Sequence, residues 1–559
     1  LFYDTAAARI QTLSRVELAS STFSSTASAL SVTYNGGTVH SDTGCVYIGA
    51  VTTLGLAAAT GASFSVYNSR LTTMSMTTGA SHTNALVALD NTTSTGSVTI
   101  TAAAGFFTST LMIARSTLQS LTTPTHLDRS SLNIVSTTVN AATSVSLVAL
   151  QANVTIDDCR LLGTFGLTGG AFTGVLFTIS STTVSGLSSF DGTYSASSTL
   201  QILSSNFARV VFNAPFTTAT MDVRNSTFTA TDGTAFAVGS AALNTNAVHR
   251  FIGNTFTITS AASGLNCLSY DTSAARIQTG SRLILLDNVM RRTQFGSMGV
   301  LTATFNGGTA TIDGTNDLGG FIELKWLAAT SGNTLRFANM PLMRGAWIVC
   351  DAGMSNSLIS FYNVISQTSN FDISATSFTS TPITLESFTM QSGRVALFGD
   401  LTSSTLSIIN SAFPTTSGNT FLQVTPLTGG VCAVSGTTIA KPTIVGYGTA
   451  TGTFSMSHST FTGGMTVQGA FASGAKMLFS FATVRGVGVA FPAPMTNALL
   501  EVADSDIQST TSTGWYVTGV SSTSNIQRFL RTYISGVSNG ALFYDTAAAR
   551  IQTLSRVEL

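Results

Sequence analysis

The sequence predicts an all-β protein built as a parallel β-helix, a β-solenoid whose coils of about 22–24 residues stack on one another. Two observations predict this fold. A short strand-turn-strand phrase recurs through the chain, with evenly spaced starts at Leu132, Val154, Phe177, Leu200 and Met221. The whole pattern is then repeated in tandem, in diverged segments of roughly 270 residues.

The short phrase reads apolar-x-apolar-x-[NSD]-[ST]-x-apolar. It occurs as LNIVSTTV at Leu132, VTIDDCRL at Val154, FTISSTTV at Phe177, LQILSSNF at Leu200 and MDVRNSTF at Met221. Apolar residues at every second position predict a half-buried strand. The small polar pair predicts a tight turn, because Asn, Asp and Ser hydrogen-bond their own backbone. The final apolar residue predicts the start of the next strand.

The start of the long repeat can be recognised by its first eighteen residues. LFYDTAAARIQTLSRVEL spans residues 1–18 and again 542–559, and a variant, LSYDTSAARIQTGSRLIL, starts at Leu268. The matching tyrosines are Tyr3, Tyr270 and Tyr544, so their spacing is nearly constant. We therefore expect a repeat A at 1–267, a repeat B at 268–541 and the start of the next repeat A at 542–559. At ~4.8 Å per coil, one full period of A and B would measure roughly 110 Å.

The composition excludes several classes of protein. Charged residues make up 9% of the chain and the formal net charge is zero, which argues against nucleic acid as a partner and against an electrostatic membrane contact. The chain is 44% hydrophobic, which is too apolar for a disordered chain. No apolar run approaches the ~18–20 residues of a membrane span. Because the chain opens without methionine, we expect a window cut from a longer polypeptide.

The five cysteines lie far apart and form no CxxC pair: Cys45, Cys159, Cys267, Cys350 and Cys432. This spacing disfavours zinc, and buried free thiols are expected. One or two disulfide bridges, or a link to a neighbouring chain, are the alternative.

These phrases resemble the right-handed parallel β-helix superfamily, the pectate-lyase-like fold, over nearly the whole chain. The resemblance implies an activity on acidic polysaccharides through clustered aspartates, often with calcium. The candidate acids here are Asp157 and Asp158 with Arg160 nearby, Asp504 with Asp506, and Asp313 with Asp317. Neighbouring residues of a strand point to opposite faces, so Asp157 and Asp158 should not converge. We therefore expect turn or surface roles for these acids, no catalytic site, no metal and no cofactor.

Other polar candidates are scattered. His126 lies near Asp128 and Arg129, where a salt bridge is the expected role. An ice-binding face is disfavoured, because outward positions vary from coil to coil. Asn91, Asn153 and Asn225 head Asn-x-Ser/Thr triplets and are candidate N-glycosylation acceptors in a secreted chain.

Tandem copies without a convergent catalytic cluster favour a structural function. We expect a segment of a giant extracellular or cell-surface glycoprotein that forms a rod, appendage or filament. Its partner would be itself, head-to-tail along the solenoid axis, with side-by-side association and glycans as further options. The alternative is a carbohydrate-binding adhesin or polysaccharide-degrading enzyme. That alternative predicts a groove with acids and aromatic residues, for which Trp326, Trp347 and Trp515 are the candidates.

Overall fold

In a computed structural model, the described part of the chain is all β: parallel strands stack as a β-solenoid of about 20 turns, with no helix. The structure describes residues 1, 10–55, 59–78, 80–102, 104–123, 126–146, 148–239, 243–260, 262, 264–270, 276–292, 299–328, 330–367, 370–414, 422–440, 442–447, 451–469, 471–472, 474–491, 495–510, 513–517, 522–537, 540–544 and 554–559. Among these residues no helix is long and apolar enough to cross a membrane. The predicted fold class is confirmed.

The coil at residues 153–175 shows the common plan. Asn153–Asp157 belongs to ladder 1, Arg160–Leu161 to ladder 2, Phe165–Thr168 to ladder 3 and Ala171–Thr173 to ladder 4. Each strand pairs in parallel with its counterpart one coil before and one coil after. In ladder 1 the register runs from Leu132 through Val154 to Phe177. The coil length predicted from the phrase therefore equals the number of residues that separate two stacked positions in the sequence.

The chain divides into two compact units, Leu1–Arg282 with Arg291–Phe295, and Leu283–Met290 with Gly296–Leu559. The repeat boundaries at 267/268 and 541/542 stay a prediction.

In the first unit, ladder 1 contains Arg15–Ala19, Thr38–Asp42, Ser63–Tyr67, Leu86–Asp90, Thr110–Ala114, Ser131–Val135, Asn153–Asp157, Leu176–Ser180, Thr199–Leu203, Thr220–Arg224 and Val248–Ile252. Ladders 2 and 3, which share one strand in some coils, contain Thr22–Asn35, Val46–Gly55, Arg70–Thr78, Thr93–Ser94, Ser97–Ala102, Thr117–Leu118, Ser120–Thr123, Thr138–Val139, Thr143–Ser146, Arg160–Leu161, Phe165–Thr168, Thr183–Phe190, Asn206–Phe212, Thr227–Ala230, Phe236–Val238, Thr255–Ile258 and Leu268–Tyr270. Ladder 4 contains Ile10–Gln11, Ala59–Thr60, His82–Thr83, Phe106–Phe107, His126–Asp128, Val148–Leu150, Ala171–Thr173, Thr193–Ser195, Phe216–Thr217, Asn244–Thr245 and Ile277–Gln278.

In the second unit, ladder 1 is formed by Arg282–Leu286, Thr309–Asp313, the first residues of Thr334–Ser355 and of Leu358–Ser366, Ile383–Glu386, Thr405–Ile409, Val431–Ser435, Thr453–Ser457, Lys476–Ser480, Leu499–Ala503, Ile526–Leu530 and Arg556–Glu558. The remaining strands are Val289–Arg292, Gly299–Asn306, Asp317–Trp326, Thr330–Ser331, Phe371–Thr379, Thr389–Met390, Val395–Thr402, Ala412–Phe413, Leu422–Thr428, Thr438–Ile439, Thr443–Tyr447, Thr460–Phe461, Met465–Gly469, Phe471–Ala472, Thr483–Val484, Val489–Phe491, Met495–Thr496, Asp506–Gln508, Trp515–Val517, Ser522–Thr523, Tyr533–Ser535 and Leu542–Tyr544.

The core of each unit is a column of stacked apolar side chains. In ladder 1 the second and fourth residues of a strand point inward, as Val154 and Ile156 do, and both are at most 1% exposed. Aromatic rings continue the column from coil to coil, with Tyr194 stacked on Phe216 at 4.5 Å between ring centroids. Each fully buried side chain of this size contributes about 1.5–3 kcal/mol of hydrophobic stabilisation.

Candidate functional site

The polar turn after each ladder 1 strand forms a row along the solenoid, which we call turn row A. Its first residue has left-handed backbone geometry in coil after coil, as at Ser136, Asp158 and Ser181, where φ is 48°, 51° and 50°. Asn, Asp and Ser tolerate this conformation better than branched residues do, because their short polar side chains bond locally. This explains the first position of the [NSD]-[ST] pair.

The second residue of the pair is buried and hydrogen-bonds the coils to each other. The Thr182 hydroxyl accepts from the backbone N–H of Cys159 in the preceding coil (3.3 Å) and donates to the carbonyl of Ser180 in its own coil (2.8 Å). The Thr182 N–H in turn donates to the hydroxyl of Ser205 in the following coil at 3.1 Å. The contact continues from Ser205 to Ser226. These hydroxyls satisfy backbone groups that burial would otherwise leave unpaired.

A second row, turn row B, precedes each ladder 1 strand and follows the same rule. The Ser109 N–H donates to the Ser130 hydroxyl (2.9 Å), and the Thr381 N–H donates to the Ser404 hydroxyl (2.9 Å). Ladder 1 is thus held on both sides by hydroxyl groups that bridge adjacent coils.

The candidate acids Asp157 and Asp158 do not converge. Asp157 accepts a hydrogen bond from the Ser180 hydroxyl at 2.6 Å, while Asp158 accepts one from the Ser136 hydroxyl at 2.9 Å. Their partners lie on opposite neighbouring coils, and Arg160 is exposed. The two carboxylates serve coil-to-coil contacts.

The pair Asp313 and Asp317 is also separated by a turn. Asp313 ends a ladder 1 strand, accepts from the Gly314 N–H at 2.7 Å and pairs with Arg336 at 3.2 Å, whereas Asp317 begins the next strand. Within the described residues, no three His, Cys, Asp or Glu side chains are grouped as a metal site would require.

Asp504 and Asp506 lie together in an open groove of about 550 Å³ in the second unit. Asp504 forms a two-point ion pair with Arg531 at 2.5 and 2.7 Å, and hydrogen bonding from Arg531 lowers the pKa of Asp504 below its usual value. Both oxygens of Asp506 accept from the amide of Gln508, at 2.8 and 2.7 Å.

Two exposed aromatic side chains border the same groove. Phe481 is 56% exposed and Tyr533 is 60% exposed. Phe481 occupies turn row A with a φ of 50°, a conformation that is unfavourable for a bulky residue, and its ring stacks on His458 at 5.0 Å. No local sequence pattern indicates this groove, because Phe481 and Tyr533 belong to different coils.

Two of the three tryptophans considered for glycan binding are core residues. Trp326 and Trp515 are 0% exposed, and the Trp326 indole donates to the Gly308 carbonyl at 2.9 Å. Trp347 is 46% exposed and stands in register between Glu323 and Asp372 of the adjacent coils. The alternative of a glycan-binding groove therefore finds no exposed ring at Trp326 or Trp515, because the register of their strands turns both side chains inward.

Two histidines have different surroundings in the structure. Asp128 pairs with Arg129 at 3.2 Å, and the ring of His126 lies against Phe107. His249 is fully buried beside Tyr270, with 2.8 Å between its Nδ1 and the phenol oxygen, and burial lowers its pKa to about 3. No feature of the sequence singles out His249.

All five cysteines are buried free thiols, as their spacing predicted. Burial raises the pKa of Cys159 to about 11 and that of Cys432 to about 12. At neutral pH Cys159 and Cys432 are therefore protonated and behave as small apolar side chains.

The three candidate glycosylation acceptors are exposed. Asn91 and Asn225 are in turn row A, and Asn153 begins a ladder 1 strand. The Asn91 amide donates to the side chain of Asn68 in the preceding coil at 2.7 Å. Glycosylation at the three positions stays a prediction.

Comparison with known proteins gives no relative: no family model, no curated protein and no solved structure matches the chain. The class of the protein therefore rests on its fold, a parallel β-solenoid.

Proposed function

We propose that this chain is a structural repeat segment of a giant extracellular or cell-surface glycoprotein that forms a rod, appendage or filament, and that it is not an enzyme. The observation that supports this proposal is the use of its polar side chains. The buried hydroxyls of turn rows A and B bond one coil to the next, and so do the paired carboxylates.

Several ion pairs also join adjacent coils. Arg115 makes a two-point contact with Asp90 of the preceding coil, and Arg394 does so with Asp372 at 2.9 Å for both bonds. Such pairs specify the register of stacked strands, because a slip of two residues would separate the charges. Exposed pairs add little stability, so register is their main contribution in a structural segment.

Immunogold electron microscopy with an antibody against residues 1–559 tests this function. Labelled fibres outside the cells that make the protein would support it, and their diffraction should show spacings of ~4.8 Å and roughly 110 Å along the fibre. Label confined to the cell interior would contradict it. Cleavage of an acidic polysaccharide, abolished by Asp157→Ala, would make the protein an enzyme.

A second candidate function, glycan binding by an adhesin, is favoured by the groove at Asp504 and Asp506. Exposed rings beside carboxylates offer an apolar surface and hydrogen-bond acceptors, as a sugar requires. Binding of oligosaccharides from a glycan array, lost in Phe481→Ala and Tyr533→Ala and kept in Tyr362→Ala, would support it. Tyr362 is a suitable control because it is 44% exposed in the same unit and lies outside the groove.

A further inference from the structure

The phrase shared by residues 1–18 and 542–559 contains a turn that its internal variant also forms. The N–H of Ser14 donates to the carbonyl of Gln11 at 2.9 Å. In the internal variant the N–H of Ser281 donates to the carbonyl of Gln278 at 3.0 Å. These serines and glutamines occupy the same positions of the phrase, so equal sequence gives equal local structure.

The first residues of the phrase, which lead into this turn, pair with the coil that comes before them. Near residue 542, Leu542 and Tyr544 pair with Trp515 and Val517, just as Leu268 and Tyr270 pair with Phe236 and Val238 in the internal variant.

The hydrogen bonds to the preceding coil also match. The Arg556 N–H donates to Asn525 at 2.7 Å, and the equivalent Arg282 N–H donates to Ala247 at 2.8 Å. The hydroxyls of Ser555 and Ser281 accept from Asn525 and Ala247, at 3.3 and 3.0 Å.

The opposite face of the turn is seen at the first copy of the phrase. Arg15–Ala19 pairs in parallel with Thr38–Asp42, and Glu17 is in register with His40. Val16 and Leu18, which point inward, are only half-buried, whereas their counterparts Val154 and Ile156 are buried. The described residues thus cover Arg15–Ala19 on one side.

We infer that this turn is the joint between successive copies of the full A and B period, and that the partner of Arg15–Ala19 is strand Ile526–Leu530 of a preceding copy joined covalently to it. This inference rests on the proposed structural function. The charges fit: Glu558, identical in the phrase to Glu17, pairs with Arg528 at 2.8 Å, and Arg528 also approaches Glu501 at 3.6 Å. The joint thereby places Glu501, Arg528, Glu17 and His40 in one row.

The same charges oppose docking of separate chains through two copies of the phrase. In register, Arg15 would face Arg556 and Glu17 would face Glu558, and like charges directly opposite each other on paired strands are destabilising. One copy of the phrase therefore serves each joint, shared between the coil before it and the coil after it.

A tandem protein, residues 1–541 followed directly by the full chain 1–559, tests the joint by hydrogen exchange. Leu13→Met in the second copy marks its peptides by mass, at a side chain that is 98% exposed. We expect the amides of Arg15 and Glu17, which face the preceding coil, to exchange at least tenfold more slowly in the second copy than in the first. Carbonyls of Ile526–Leu530 and its preceding turn then accept from them, as the Asn525 carbonyl accepts from the Arg556 N–H. Equal exchange in both copies would overturn the inference.

A second variant of the tandem, Arg528→Glu, tests the joint by a local change in exchange, so that a general loss of folding can be told apart from a loss of the joint. It should speed exchange at the second copy's Arg15–Ala19 and leave Thr110–Ala114, far along the chain, unchanged. No selective effect would also overturn the inference. Because the assay uses purified protein, a failure of the joint is distinguishable from a failure of the extracellular location that immunogold labelling tests.

Discussion

The buried hydroxyl of Thr182 provides the sharpest test of how the coils are held together. Thr182 is 0% exposed, and its hydroxyl contacts the N–H of Cys159 at 3.3 Å and the carbonyls of Ser180 and Ile156 at 2.8 and 3.4 Å. Thr182→Val keeps the shape of the side chain and removes the hydroxyl. The Cys159 N–H then loses its acceptor inside the protein.

An unpaired buried donor costs about 1–3 kcal/mol. At about 1.4 kcal/mol for a tenfold change, the local opening constant should rise roughly 5- to 150-fold. Hydrogen exchange at Leu176–Ser180 measures this opening, since the ladder bonds of that strand are not themselves removed by the substitution.

Thr183→Val is the matched control. Thr183 is the next residue, is only partly buried and points away from the core. The same chemical change there should alter stability by no more than about 0.5 kcal/mol. Equal exchange rates in the two variants would refute the role of the hydroxyl row.

Three further predictions concern single groups. Burial lowers the pKa of His249 to about 3, below its unfolded value near 6.5. The contribution of neutral His249 to stability is therefore complete above pH 6.5 and is lost as the pH falls towards 3. At pH 5 the expected loss of unfolding free energy is about 2 kcal/mol. Urea unfolding at pH 7 and pH 5 should show that His249→Phe loses less unfolding free energy between these pH values than the unmodified protein does. His458→Phe, which replaces an exposed histidine, should lose as much as the unmodified protein. Equal losses in all three proteins would contradict the role of His249. Phe481→Asn should raise the unfolding free energy by about 1 kcal/mol, because Asn tolerates the left-handed φ of 50° better. Asn410→Phe, in the same turn row at φ 49°, should lower it by a similar amount, and urea midpoints that do not move in opposite directions would disprove the strain. Finally, no thiol should react with a disulfide reagent in the native protein and all five should react after denaturation; rapid native labelling would show that the coils open.

Much of the fold could be predicted from local patterns. Apolar residues at alternate positions in VTIDDCRL marked the strand, and its polar pair marked the turn, because both features depend on neighbours close in sequence. The spread of Asp157 and Asp158 to different partners followed from the same alternation. Coil length could be read from the spacing of the phrases, since stacked residues are one coil apart.

The groove and the buried polar pairs could not be predicted in this way. Phe481 and Tyr533 come from coils that are two steps apart, and coils differ in length: Leu111 stacks on Leu132, whereas Met221 stacks on the more distant His249. A change of one residue in a coil moves a side chain to the other face. For this reason the sequence could not tell which of the three candidate tryptophans are exposed, whereas the structure places Trp326 and Trp515 in the core.

The sequence by itself determined the strands, the tight turns and the period with which they recur, because these depend on alternation and turn chemistry over fewer than ten residues. The tertiary structure decided which residues meet. It made buried Ser and Thr hydroxyls of the turns bridges between coils and placed His249 beside Tyr270. It also paired the phrase LFYDTAAARIQTLSRVEL with the preceding coil at residues 542–559 and with the following coil at residues 1–18. Those contacts are made between coils, and the register that creates them is set by the stacking of the whole solenoid.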